Sequence, residues 1–150
     1  MSQKNRFAID FENEYLGLTD TTVIFNGNQA ESSYYVLGLL NSLLLNFRFQ
    51  FIGKLKGNGI YEYFWNSISK LPIRKIDFEN TKDKKHHDTV VKLVEHILQL
   101  NNEFQKVKTS YKKEVIQRQI NATDKQIDKL VYKLYDLTEE EIAIVEEGVN

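Results

Sequence analysis

An α+β protein, mostly α, is what these 150 residues should form: a small partial β region packed on a helix, followed by a long antiparallel helical pair and a short C-terminal helix. Three observations carry that expectation. Residues 1–30 hold two short runs of β-branched and aromatic residues. Residues 34–51 and 90–134 repeat apolar side chains every three or four positions. A stretch with three glycines in seven residues, 53–59, separates those two helical regions.

Taken in order, residues 7–11 (Phe-Ala-Ile-Asp-Phe) and 22–25 (Thr-Val-Ile-Phe) read as strands, followed by the turn-forming Asn26-Gly27-Asn28. Two short strands are not a stable sheet alone, so they must pack on the next helix or pair elsewhere. In that helix Tyr35, Leu39, Leu43 and Phe47 recur every four positions, and Val36, Leu40 and Leu44 fill the neighbouring row. The pattern ends near Gly53. Residues 53–59 read as a flexible loop whose glycines admit close approach to a partner. An aromatic stretch, 60–65, follows. The only proline lies in Lys70-Leu71-Pro72-Ile73 and holds Leu71 extended. The polar stretch 80–85 is the best boundary, dividing 1–82 from 83–150. Beyond it, Val90, Leu93, Val94, Ile97, Leu98, Phe104 and Val107 mark one helix. Ile116, Ile120, Ile127, Leu130, Val131 and Leu134 mark a second, with a break expected near Asn121 and a restart at Thr123-Asp124-Lys125-Gln126. Thr138-Glu139-Glu140-Glu141 is a cleaner capping box for a third helix, ending near Gly148.

Composition narrows the function. An apolar fraction of 41 % suffices for a core, and a net charge of −1 excludes polyanion binding by bulk charge. Any nucleic-acid surface must come from local clustering. With no cysteine there is no disulfide framework, thiol catalysis or thiolate zinc site. No apolar leader or bilayer-length run is visible, so a cytoplasmic protein without a membrane partner is expected.

No catalytic arrangement holds together. His86 and His87 point apart on a helix and His96 is remote, so all three read as solvated surface residues. The carboxylates Asp10, Glu12 and Glu14, and Asp77 with Glu79, lack a neighbouring Glu-x-Lys. Gly57-Asn58-Gly59 lacks the third glycine and the Lys-Ser/Thr of a nucleotide loop, and no Asn-Pro-Pro-Tyr-like segment occurs. The chain is not expected to be an enzyme on its own, nor to hold a metal or cofactor.

Charge is more informative. Arg48, Lys54, Lys56, Lys70, Arg74 and Lys75 face only Glu62 between positions 48 and 75, interleaved with Phe49, Phe51, Tyr61, Tyr63, Phe64 and Trp65. Cations and aromatics on a loosened backbone suit phosphates and base edges, and Asn58 could pair an adenine. The candidate DNA-binding set is therefore Arg48, Lys54, Lys56, Asn58, Tyr61, Lys70, Arg74 and Lys75. The competing reading is that the aromatics are core and the lysines a solvated rim, with the helices serving as a protein-interaction or assembly module. After Lys133 the chain is acidic, with Asp136, Glu139, Glu140, Glu141, Glu146 and Glu147 and no basic residue. That end should face solvent or a protein.

Several segments together resemble a known family. Tyr35-Val36-Leu37-Gly38-Leu39-Leu40-Asn41-Ser42 is similar to the "lgiLNS" helix of restriction–modification target-recognition domains. These occur in type I specificity subunits and in the TaqI-like C-terminal specificity domain of type IIG-like restriction–methylation enzymes. There the helix leads to a glycine loop, an aromatic segment and a "K-L-P-I-P" stretch, matched by 57–59, 61–65 and Lys70-Leu71-Pro72-Ile73, with Arg74 at the second proline. The tail from Ile127 to Ile142 resembles "IdklVYeLYgLteeEi", with Asp136 at the usual glycine. The resemblance implies that 1–82 is the C-terminal part of a DNA-reading domain and 83–150 a helical spacer or docking arm. Its implied partners are double-stranded DNA and the methyltransferase/endonuclease portion of a parent adenine methyltransferase. S-adenosylmethionine and Mg would then belong to that parent, not to this chain.

Overall fold

The apolar rows of residues 34–52 make two helices, not the single one expected. In the computed structural model, which describes residues 7–12, 14, 22–24, 30–57 and 60–149, these are α1 (Ser33–Asn41) and α2 (Leu43–Ile52), bent by 66°. Ser42 between them is extended, with φ −65° and ψ 154°, and caps both helices. Its hydroxyl donates to the Leu39 carbonyl at 2.7 Å and accepts from the Leu45 N–H at 3.3 Å. The Leu43 N–H donates to the Asp128 carboxylate at 2.8 Å. A serine that satisfies the backbone locally competes with helix propagation, and an outside carboxylate then takes one of the orphaned N–H groups. Apolar periodicity survives a one-residue break, which is why it conceals this one.

Within residues 53–59, expected as a loop, residues 54–57 instead form one strand of a hairpin. Strand β1 (Lys54–Gly57) pairs antiparallel with β2 (Ile60–Glu62), placing Lys54 opposite Glu62, Leu55 opposite Tyr61 and Gly57 opposite Ile60, with an irregularity at Lys56. Lys-Leu-Lys alternates polar and apolar residues with period two, the strand pattern. Asn58 lies outside the described residues. The N-terminal runs are not strands where they are described. The Phe7 N–H donates to Asn41 Oδ1 at 2.8 Å, and Asn41 Nδ2 donates to the Phe7 carbonyl at 3.0 Å. A helix side chain thus stands in for a strand partner. Thr22 donates likewise to the Tyr63 carbonyl, and Phe25 lies outside the described residues.

A short α3 (Trp65–Ile68) and an extended stretch lead to α4 (Thr81–Lys106), capped by Asn80. Next come α5 (Ser110–Leu134) and α6 (Glu139–Gly148), the latter opened by the Thr138/Glu141 capping box. At 1.5 Å per residue α4 and α5 are each roughly 40 Å long. They pair antiparallel: Leu100 packs with Ile116 and Ile120 near the turn, and Val90 and Val94 with Ile127 and Val131 further down. The break expected near Asn121 is absent. The Thr123 hydroxyl donates to the Gln119 carbonyl at 2.9 Å, an internal helix bond and not a cap.

The core gathers Tyr35, Leu39, Leu45, Phe49, Val90 and Val131, all fully buried. Gly38 lets α1 lie directly on α4, since a Cβ there would stand 2.8 Å from Val90 Cγ1 and 2.9 Å from Val94 Cγ2. His87 belongs to the same face of α4, and the expectation of a solvated histidine fails for it. The residue is 6 % exposed, and its ring lies between Tyr35 and Phe78. Nε2 accepts the Ser32 N–H at 3.1 Å, so Nδ1 carries the proton and donates to Asp88. No single helix among the described residues is long and apolar enough to cross a membrane.

Helix α5 closes in a Schellman turn. The Leu137 N–H reaches the Tyr132 carbonyl at 3.0 Å and the Asp136 N–H the Lys133 carbonyl at 3.4 Å, with Asp136 left-handed at φ 53°. Asp136→Gly should therefore stabilise the chain by about 0.5–1 kcal/mol, after allowing for the greater freedom of glycine when unfolded. Thermal unfolding should show a rise of about 1–4 °C. An unchanged or lower midpoint would mean that the aspartate makes a compensating bond.

Candidate nucleic-acid interface

The hairpin is positioned by aromatic packing beneath it. Phe49 of α2 is buried and stacks on Tyr63 with ring centroids 4.5 Å apart, and it meets Tyr61 of β2 edge-on at 6.1 Å. Tyr63 in turn meets Phe7 edge-on. The aromatics interleaved with the cations thus divide into two sets. Phe49, Tyr61 and Tyr63 anchor the hairpin, whereas Phe51, Phe64 and Trp65 are exposed, along with Leu55. Burial pushes the Tyr63 hydroxyl up from its ordinary pKa.

On the hairpin, Lys54 and Lys56 reach the same carboxylate, Glu62, at 3.2 and 3.5 Å. Two ammonium groups share one carboxylate, so the group as a whole stays positive. Lys54 also lies 6.0 Å from the centre of the Phe64 ring. Its side chain is 72 % exposed, and a solvated pair of this kind contributes little to stability. Arg48 is exposed on α2, Lys70 is exposed in the turn that closes α3, and Lys75 is exposed on the extended stretch that follows.

Arg74 has a different setting. Its guanidinium contacts Asp83 at 3.3 Å and donates to the Leu134 and Lys75 carbonyls. Its backbone N–H donates to the Tyr135 hydroxyl at 3.1 Å, which itself donates to the Pro72 carbonyl. The Arg74 carbonyl accepts from Tyr35 at 2.9 Å, and the Ile76 N–H donates to Glu31 at 3.0 Å. That last bond holds the Glu31 carboxyl below the usual carboxylate range. Burial raises the hydroxyls of Tyr35 and Tyr135. Residues 72–76 are therefore held by side chains of α1, α5 and the segment before α1, in place of a neighbouring strand. Charge and spacing do not single out Tyr135 for this work, nor Asn41 for holding Phe7 or Asp128 for holding Leu43, although all three lie inside the segments that resemble the target-recognition family.

No group of three or more His, Asp or Glu side chains suited to a metal ion occurs among the described residues. The local arrangement is a cationic hairpin with exposed aromatic neighbours on a helical frame. In sequence the chain is related to type II methyltransferases. It is 31 % identical over 106 residues to the type II methyltransferase M.HincII of Haemophilus influenzae, a match covering 69 % of this chain and 21 % of that protein. The match to M.HindII of Haemophilus influenzae strain Rd has the same identity and length and covers 20 % of that protein. This chain thus aligns with about a fifth of the length of these curated relatives. No protein-family model and no solved structure matches it.

Proposed function

We propose that this chain is a DNA-recognition portion of a restriction–modification methyltransferase, with the β1–β2 hairpin presented to the duplex. One observation carries this reading: Lys54 and Lys56 project from a hairpin flanked by exposed Phe51, Leu55, Phe64 and Trp65. A core does not need four large apolar groups in solvent beside two lysines. A phosphate backbone and the faces or edges of bases would use both kinds of group. Arg48, Lys70 and Lys75 extend the cationic surface. Asn58 is the base-reading candidate, Tyr61 steadies the hairpin against Phe49, and Arg74 orders the strand-like stretch that follows. Residues 1–82 do the reading, and 83–150 dock on the methyltransferase/endonuclease portion of the parent enzyme. This chain catalyses nothing by itself. S-adenosylmethionine and Mg are taken up by that other portion, and the setting is the cytoplasm.

The test is duplex binding by fluorescence anisotropy across a salt series. Lys54→Gln with Lys56→Gln should lower the slope of log affinity against log salt by about 1.8, at about 0.9 for each phosphate no longer neutralised. Affinity at low salt should fall at least tenfold. An unchanged slope in a variant that keeps its circular dichroism spectrum would remove the hairpin from the interface.

A further inference from the structure

The cations of the hairpin and its surroundings lie between positions 48 and 75. A second group sits at the α4–α5 turn, where Lys106, Lys108, Lys112 and Lys113 occur with no Asp or Glu from position 104 to position 113. Lys106, Lys108 and Lys112 are exposed. Lys113 is half-buried, with its ammonium 5.4 Å from the centre of the Phe104 ring. Tyr111 beside them is 75 % exposed. Of the two flanking acids, Glu114 is already paired with Arg118, and Glu103 is exposed on α4, three residues before Lys106.

Stability accounts for one of these lysines outright, and the Phe104 ring for part of a second, Lys113. Lys106 lies in the last turn of α4, where a cation suits the negative end of the helix dipole. Lys112 and Lys113 are at the start of α5, at the positive end, where a cation is unfavourable. That first turn has no acidic residue, and its N-cap, Thr109, makes no side-chain hydrogen bond to it. Like charges, an opposed dipole and uncapped N–H groups are thus brought together at one tip. A bound polyanion would relieve all three.

The tip is also placed for contact. The large core joins α1 and α2 to the α4–α5 pair at the level of Val90, Val94, Ile127 and Val131, whereas the turn closes on its own small cluster of Leu100, Ile116 and Ile120. Lys106 therefore lies about 18 Å along α4 beyond Val94, at the helical rise per residue. We propose that the α4–α5 turn is a second DNA contact, gripping the phosphodiester backbone through Lys108, Lys112, Lys113 and the first-turn N–H groups of α5, without reading sequence. The identity of the polyanion rests on the DNA-recognition reading above. The location of the site does not.

The experiment uses the full 150-residue chain, labelled duplexes of two unrelated sequences, and polyglutamate as a competing anion. Lys108→Gln, Lys112→Gln and Lys113→Gln are combined in one variant, with the Lys→Arg triple as the charge-conserving control. The glutamine triple should lower the salt slope by about 2.7 and weaken both duplexes at least tenfold by the same factor, while the arginine triple binds like the parent. Loss of binding in the tip variant with an inert hairpin variant supports this proposal and removes the hairpin. An inert tip variant with a defective hairpin variant overturns this proposal and leaves the hairpin reading standing. Absence of duplex binding in the parent chain, or displacement of DNA by polyglutamate at equal charge, also overturns it.

Discussion

Replacing Asp128 by alanine should lower the stability of the chain by about 2–3 kcal/mol and the thermal midpoint by about 5–10 °C. The carboxylate is 9 % exposed and accepts the Leu43 N–H from a helix 85 residues away in sequence. It serves as an outside acceptor at the start of α2, where an anion suits the helix dipole. Alanine leaves that N–H without its acceptor in a part-buried position, and unmet donors cost more than a hydrogen bond gains. Asp128→Asn keeps an acceptor oxygen and loses only the charge, so its cost should be about 1 kcal/mol. Amide exchange locates the effect: Leu43 should lose protection in the alanine variant more than Leu39 does. Equal thermal midpoints for parent and alanine variant, within about 1 °C, would show that Ser42 alone sustains the bend.

This bond also explains what was legible in the sequence. The helix-forming stretches and the α6 capping box could be read because apolar periodicity and Thr138 with Glu141 are local signals. The α1–α2 bend and the side-chain anchors of residues 7 and 72–76 could not, because their partners lie 34 to 85 residues away. The segments that resemble the target-recognition family nevertheless point straight at these joints. Asn41 and Ser42 hold residue 7 and the bend, Pro72 and Arg74 meet Tyr135, and Asp128 meets Leu43. What those segments share is a way of fastening α1, α2 and the extended stretch to α5. The candidate DNA contacts overlap these segments only in part: Asn58, Tyr61 and Lys70 fall within them and Lys56 and Arg74 beside them, whereas Arg48, Lys54 and Lys75 are drawn from charge alone. The burial of His87 is available in the spacing, since it lies three residues before Val90 and seven before Val94, but metal-ligand spacing weighs histidines against one another and not against the apolar row.

The fastening makes its strongest demand at Gly38. Gly38→Val should destabilise the chain by about 3 kcal/mol or more, whereas glycine to alanine in an ordinary helix interior gains about 1 kcal/mol. A new Cβ would stand 2.8 and 2.9 Å from methyl groups of Val90 and Val94, and β-branched side chains in a helix have little rotamer freedom with which to yield. Val90 is fully buried, so the strain must move backbone or empty the site. Even Gly38→Ala should therefore be a net loss, of about 1–2 kcal/mol. The cause can be isolated by a double-mutant cycle. Val90→Ala is costly alone because it leaves a cavity, but combined with Gly38→Ala it opens the space the new methyl group needs, so the pair should lose less than the two single costs added. Strict additivity in urea unfolding would mean that α1 and α4 move apart without strain, and that the close approach at Gly38 does not set the seat on which α2 and the hairpin are carried.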